Sequence, residues 1–176
     1  MEEVVLVNER DEQVGIMEKM EAHEKALLHR AFSICVFNNN NELLLQQRAQ
    51  EKYHSGGLWT NTCCSHPRPG EALLAAGHRR LLEEMGFDCE LFPAFHFVYH
   101  AKLDKGLTEH ELDHVIIGKY NGEPLPNPDE VMNYKWMSLE NIADDMKANP
   151  LDYTEWFKIC FQELAEYMLQ KNSRIQ

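Results

Sequence analysis

The run Gly70-Glu71-Ala72-Leu73-Leu74-Ala75-Ala76-Gly77-His78-Arg79-Arg80-Leu81-Leu82-Glu83-Glu84-Met85-Gly86-Phe87 is the segment around which the rest of this chain arranges itself. Pro67 and Pro69-Gly70 stop regular structure before it. Leu74, Leu81, Leu82 and Met85 then recur at helical spacing from about Glu71, and Gly86 terminates the helix. Strand compositions flank it. Ser33–Phe37 and Glu42–Gln46 are separated by Asn38 to Asn41, which reads as a hairpin turn, and Val4–Val7 with Gln13–Ile16 reads as a smaller strand pair. Phe92–Leu103, Leu112–Tyr120 and Tyr134–Ser138 follow as strands, the last after a loop carrying Pro124, Pro126 and Pro128. Ser138 caps a short helix, and Thr154–Met168 is helical with Trp156, Ile159, Cys160, Leu164 and Tyr167 on its apolar side. Strands on both sides of a central helix, with two more helices at the end, predict an α/β (α+β) fold. Its mixed β-sheet is sandwiched between α-helices in one domain spanning residues 1–176.

Composition narrows the partners. A net charge of −12 argues against nucleic acid, because affinity for a phosphate backbone needs clustered Lys and Arg. Arg48, Lys52, Arg68, Arg79 and Arg80 nevertheless fall within one central stretch of the chain, enough for a basic pocket that takes a small anion. No apolar run reaches membrane-spanning length, and Met1-Glu2-Glu3 opens with acids instead of the basic start of a signal peptide. The five cysteines are an odd set without disulfide-framework spacing, which suits a reducing compartment. A cytoplasmic protein without membrane or nucleic-acid partners is the expectation.

Candidate chemistry lies in Trp59-Thr60-Asn61-Thr62-Cys63-Cys64-Ser65-His66, a segment expected to be a loop, with a thiol two residues before an imidazole. In an extended chain Cys63 and Cys64 face opposite ways, so one of them faces a pocket. His23 and His29 lack the spacing that puts two imidazoles on one helical face, but with His66, Glu109 and Glu111 they can supply a nitrogen and oxygen set suited to a divalent transition metal.

On the central helix, Gly70, Arg79, Glu83, Glu84 and Gly86 match most of the Nudix-box pattern, with Leu81 and Phe87 at apolar positions. Ala76 is read at its first glutamate position and Arg80 at its second. The acidic cluster that hydrolysis needs is thereby depleted, while anion binding by Arg80 becomes plausible.

Taken together, Leu28-His29-Arg30-Ala31-Phe32-Ser33, Gln47-Arg48-Ala49, the Trp59 to Pro67 segment, the altered box and Glu109-His110-Glu111 resemble the type 1 isopentenyl-diphosphate isomerases of the Nudix superfamily. The resemblance runs from about residue 2 to about residue 165 and holds in order and separation. It implies a Nudix-like fold and conversion of isopentenyl to dimethylallyl diphosphate in isoprenoid biosynthesis. It further implies Cys64 and Glu111 as the catalytic pair, with Tyr99 assisting proton delivery and Trp156 facing a cationic centre. Lys19, Arg48, Lys52 and Arg80 would contact the diphosphate. One transition ion, zinc or manganese, would sit on His23, His29, His66, Glu109 and Glu111. A magnesium ion would be held against the diphosphate by Glu84 and the Cys64 carbonyl. His110, between the two glutamates, points away in a regular strand and is left out.

The substrate's chemistry fits these residues. Moving an unactivated double bond requires adding a proton at one terminal carbon and removing another from the allylic carbon, through a tertiary carbocation that water must not reach. A thiol and a carboxylate can each act as acid or base after modest tuning. Two other readings compete: a Nudix hydrolase of a nucleoside diphosphate derivative, which gives Cys64 and the histidines no role, and a non-catalytic diphosphate- or metal-binding module, which would retain its ligand without turnover.

Overall fold

The computed structural model describes residues 2–173. Its strands form one nine-stranded sheet. The elements are β1 (Glu3–Val7), β2 (Gln13–Glu18), α1 (Lys19–Glu24), β3 (His29–Phe37), β4 (Glu42–Arg48), β5 (Trp59–Thr60), β6 (Cys63–Ser65), α2 (Leu73–Met85), β7 (Leu91–Lys102), β8 (Thr108–Lys119), β9 (Val131–Ser138), α3 (Leu139–Ala148) and α4 (Glu155–Ser173). β3 is the hub. Along one edge it pairs in parallel with β8, from His29 opposite Glu111 to Phe37 opposite Lys119. Along the other it meets β1 at His29, β6 at Phe32–Ile34 and β4 at Phe37, all antiparallel. The sheet is mixed, as expected.

Alternation along β3 sorts the interior into two layers. Cys35 and Phe37 face a core built with Val115, Trp156, Phe157, Cys160 and Leu164, covered by α3 and α4. Phe32, Ile34 and Val36 face a second core with Cys63, Ala76, Leu81 and Met85, covered by α2. Asn38 closes the β3–β4 hairpin, its side-chain oxygen accepting from the backbone N–H groups of Asn40 and Glu42. Ser138 caps α3 by accepting from the Asn141 N–H. Gly86 ends α2 at φ 71°, where a Cβ would lie 2.1 Å from the Leu125 carbonyl oxygen, so glycine is required there.

Several boundaries move. α2 begins at Leu73 behind Ala72, which offers no side-chain cap, instead of at Glu71. β8 begins at Thr108 instead of Leu112, which takes Glu109 and Glu111 into the sheet. The Cys64 segment expected as a loop is strand β6. α1 has no counterpart in the sequence reading: six residues are too few for periodicity to register, and the helix is held by the Glu18 carboxylate accepting from the Glu21 N–H and by burial of Ala22 and His23. No helix among the described residues is long and apolar enough to cross a membrane.

Candidate active site

Sheet register assembles the site. Pairing of His29 with Glu111 across β3 and β8, and of Tyr99 with Glu111 across β7 and β8, puts three candidate side chains in one row. β6 sets Cys64 opposite Ser33 on the other edge of β3, so Cys64 and Glu111 come from strands on either side of the hub. α1 brings His23 over the row and α4 brings Trp156.

His23, His29, His66 and Glu111 form a buried cluster whose ligand atoms all lie within 4.8 Å of one another. The Nε2 atoms of His66, His29 and His23 stand 3.0, 3.3 and 3.9 Å from the same Glu111 Oε1. His29 Nδ1 lies 2.8 Å from the Leu27 carbonyl, which can only accept, so Nδ1 carries the proton and Nε2 presents a lone pair. Burial, with His66 beside it, lowers the His23 pKa to about 3, and burial also lowers that of His66. Neutral imidazoles around one carboxylate oxygen are a donor set for a divalent transition metal. Glu109 stands outside this cluster: its Oε1 is 3.4 Å from His54 Nε2 and its Oε2 lies 2.9 Å from the Tyr99 hydroxyl. Only four of the five ligand positions implied by the resemblance therefore converge. His110 turns away, its Nδ1 on the Ala26 carbonyl, as the strand parity requires.

The two carboxylates titrate apart. Burial raises both, but the His29 and His66 imidazoles set against its Oε1 hold Glu111 well below the usual carboxylate range. Burial and the Glu111 charge push Glu109 well above it. Tyr99 donates its one proton to the ionised Glu111 at Oε2, 2.7 Å away, and its oxygen lies 2.9 Å from Oε2 of the protonated Glu109, which can donate to it, so the phenol bridges the two carboxyls.

Cys64 is the thiol that faces the pocket. Cys63 is fully buried on the α2 side, whereas Cys64 Sγ accepts from Trp156 Nε1 at 3.1 Å and donates to Asn61 Oδ1 at 2.8 Å. Burial and the nearby Asp113 keep the Cys64 pKa raised, so it rests as a thiol. Cys64, Tyr99, Glu109, Glu111 and Trp156 line an inner chamber of about 40 Å³. Arg48, Tyr53, Cys64, Ser65 and His66 are shared with an outer cavity of about 460 Å³ that also carries Lys19, Lys52, Arg68, Arg80 and Glu84. Three of the cations there are partnered: Lys19 with Glu2, Lys52 with Glu130, and Arg80 with Glu83, Glu84 and Glu130. Arg48 differs in having no carboxylate partner among the described residues: its Nη2 donates to the His54 carbonyl at 3.1 Å, and its guanidinium lies 5.1 Å from the Trp156 ring centroid.

A scan against family models matches the NUDIX domain over residues 27–157. The isopentenyl-diphosphate Delta-isomerase of Pectobacterium atrosepticum is 54% identical over 165 residues, covering 94% of this chain and 92% of that protein. The chain belongs to the isopentenyl-diphosphate Delta-isomerase family. Isopentenyl-diphosphate Delta-isomerase 2 of Aromatoleum aromaticum is 51% identical over 163 residues, 93% of this chain and 86% of that protein. The fold itself extends to more distant structures. A MutT protein from Methanosarcina mazei superposes with a TM-score of 0.66 at 18% identity, covering 79% of this chain and 94% of that one.

One detail of the helix reading needs correction. The seven-residue gap of the Nudix box, counted back from Arg79, puts its first glutamate at Glu71 and its glycine at Ser65, not at Ala76 and Gly70. Ala76 is wholly buried in the core beneath α2 and never faces the site. Glu71 takes a two-pronged ion pair from Arg79, at 2.7 and 2.8 Å. Arg80 occupies the remaining acidic position and neutralises Glu83 and Glu84, which leaves no acidic cluster of the hydrolytic kind.

The sequence reading missed the buried Asp113, His54 and Asn61 and the half-buried Tyr53. Asp113 continues the Glu109, Glu111 alternation of β8 and would have followed from strand parity; burial, then Glu111, raises its pKa to about 8. Tyr53 and His54 lie in the irregular segment between β4 and β5, where no periodicity marks them. Asn61 sits inside the quoted motif without a role.

Proposed function

We propose that the chain, acting as one domain over residues 1–176, isomerises isopentenyl diphosphate to dimethylallyl diphosphate by adding and removing protons through a tertiary carbocation. The observation that carries this is the pairing of two cavities of opposite character. A chamber of about 40 Å³ lined by a thiol, carboxylates and an indole opens onto a basic cavity of about 460 Å³. The basic cavity suits a diphosphate, and the small chamber beside it suits the reacting end of its hydrocarbon tail.

In this reading Lys19, Arg48, Lys52 and Arg80 bind the diphosphate, exchanging their present acidic partners for phosphate oxygens, and so orient the tail from groups that do not react. Arg48, whose side chain donates only to the His54 carbonyl and has no carboxylate partner among the described residues, needs no such exchange. Cys64 Sγ and Glu111 then hold and move the proton on the two sides of β3, with Tyr99 Oη hydrogen-bonded to Glu111 Oε2 as the exchange partner. Trp156 walls the chamber against water and turns its ring toward the developing cation, where a desolvated cation–π contact contributes about 2 kcal/mol. Zinc or manganese is the ion that His23, His29, His66 and Glu111 would hold, with Glu109 as the further ligand this reading assigns; bound there, it would keep Glu111 ionised and fixed. Magnesium would accompany the diphosphate on Glu84 and the Cys64 carbonyl, in keeping with its preference for oxygen ligands.

The test is incubation with isopentenyl diphosphate. The acid-labile allylic isomer should accumulate with no release of phosphate. Phosphate release would point to a hydrolase, and retention of unchanged substrate to a binding module.

A further inference from the structure

Behind Cys64 lies a buried hydrogen-bond chain that the reading above leaves unused. Thr154, Thr60 and Asn61 are all buried, at 0%, 1% and 0% exposure. The Thr154 hydroxyl donates to Thr60 Oγ1 at 3.1 Å, the Thr60 hydroxyl donates to Asn61 Oδ1 at 2.9 Å, and the Cys64 thiol donates to the same oxygen at 2.8 Å. The amide cannot turn over. Its Nδ2 donates to the main-chain carbonyls of Ile34 and Cys63, at 3.1 and 3.0 Å, and carbonyls only accept. The sulfur is gripped from a second direction by the Trp156 indole N–H at 3.1 Å. Thr154 immediately precedes α4, which carries Trp156, so both holds on the sulfur trace back to the start of that helix.

We propose that Asn61 is a positioning residue for the Cys64 thiol: its side-chain oxygen fixes the sulfur and its proton relative to the chamber. The inference rests on the role given to Cys64 above. Asn61 lines neither cavity, so it acts on turnover through Cys64 and leaves substrate binding alone.

The test compares Asn61→Ala and Asn61→Asp with wild type and Cys64→Ala, all metal-loaded, by steady-state kinetics on isopentenyl diphosphate and by thermal melting. Asn61→Ala should lower kcat about 10- to 100-fold, the loss expected of a reacting group misplaced by about 1 Å, with KM within about threefold. Asn61→Asp loses amide N–H donors as Asn61→Ala does, but buried and protonated it keeps an acceptor oxygen for the thiol, so it should retain more kcat than Asn61→Ala. Alkylation by neutral iodoacetamide, mapped by mass spectrometry, should accelerate at Cys64 in Asn61→Ala while Cys63 stays protected. A general loosening of the fold would expose both. If Asn61→Ala does not fold, Asn61→Asp carries the test alone: kcat within about tenfold of wild type with slow Cys64 alkylation supports the proposal, and kcat at the Cys64→Ala level overturns it. Unimpaired kcat in Asn61→Ala, or a loss in KM alone, overturns this inference while leaving the isomerase reading intact. Full activity in Cys64→Ala, or no activity of wild type on this substrate, overturns both.

Discussion

Replacing Trp156 separates cation stabilisation from simple wall packing. The indole is 3% exposed, donates its N–H to Cys64 Sγ at 3.1 Å, and has the Arg48 guanidinium 5.1 Å from its centroid and His54 edge-on at 5.6 Å. Trp156→Leu removes the ring quadrupole and the N–H, whereas Trp156→Phe removes the N–H and keeps a ring. An ammonium analogue, with a fixed charge where the tertiary cation would form, draws on a desolvated cation–π contact of about 2 kcal/mol that the neutral tail of isopentenyl diphosphate does not. Because Arg48 already shares the ring, the expected differential loss in Trp156→Leu is roughly 1–2 kcal/mol, about 5- to 30-fold in relative affinity. Packing and N–H losses affect both ligands and cancel in the double difference. Titration calorimetry of both ligands against the three proteins measures it. Trp156→Phe should keep most of the preference for the analogue. Equal weakening of the two ligands in Trp156→Leu would reduce Trp156 to a wall residue, and the absence of any preference for the analogue in wild type would refute the carbocation route.

Cys64→Ala should abolish isomerisation with little change in melting temperature, while Cys63→Ala, which truncates a core side chain, should cost about 1 kcal/mol of stability and spare activity; equal loss of activity in both would contradict the assignment. A strong chelator should lower the melting temperature, with zinc or manganese restoring it, whereas Glu84→Gln should weaken diphosphate binding and leave tightly held metal in place; loss of that metal in Glu84→Gln, measured by elemental analysis, would mean the two sites are exchanged. The metal-free protein should destabilise in acid. His23 and His54 have pKa values lowered to about 3 and about 2 by burial, so below their unfolded value near ~6.5 the unfolded chain binds protons that the folded site refuses. Each then loses up to about 1.4 kcal/mol per pH unit, or roughly 3 kcal/mol for the pair between pH 6.5 and 5, and a urea midpoint unchanged between pH 7 and pH 5 would contradict this.

Local chemistry made much of this molecule legible from sequence. The repeat of Leu74, Leu81, Leu82 and Met85 with Gly86 behind it marks α2, the asparagine run marks the β3–β4 turn, and strand alternation separates Cys63 from Cys64 and turns His110 outward. Each depends on residues a few positions apart, where side-chain direction follows from backbone period alone. The site itself depends on pairings between distant strands. The parallel register of β3 on β8 decides that His29 meets Glu111, and that register is set by burial of two whole strand faces, which no motif encodes. α1 exists only because the folded protein buries Ala22 and His23, since six residues cannot sustain a helix alone. The same non-local packing turns Glu109 toward Tyr99 and His54 and out of the histidine cluster. It also closes the Thr154, Thr60, Asn61 chain behind Cys64, joining residues 94 positions apart in sequence whose polar groups had to find partners once water was excluded.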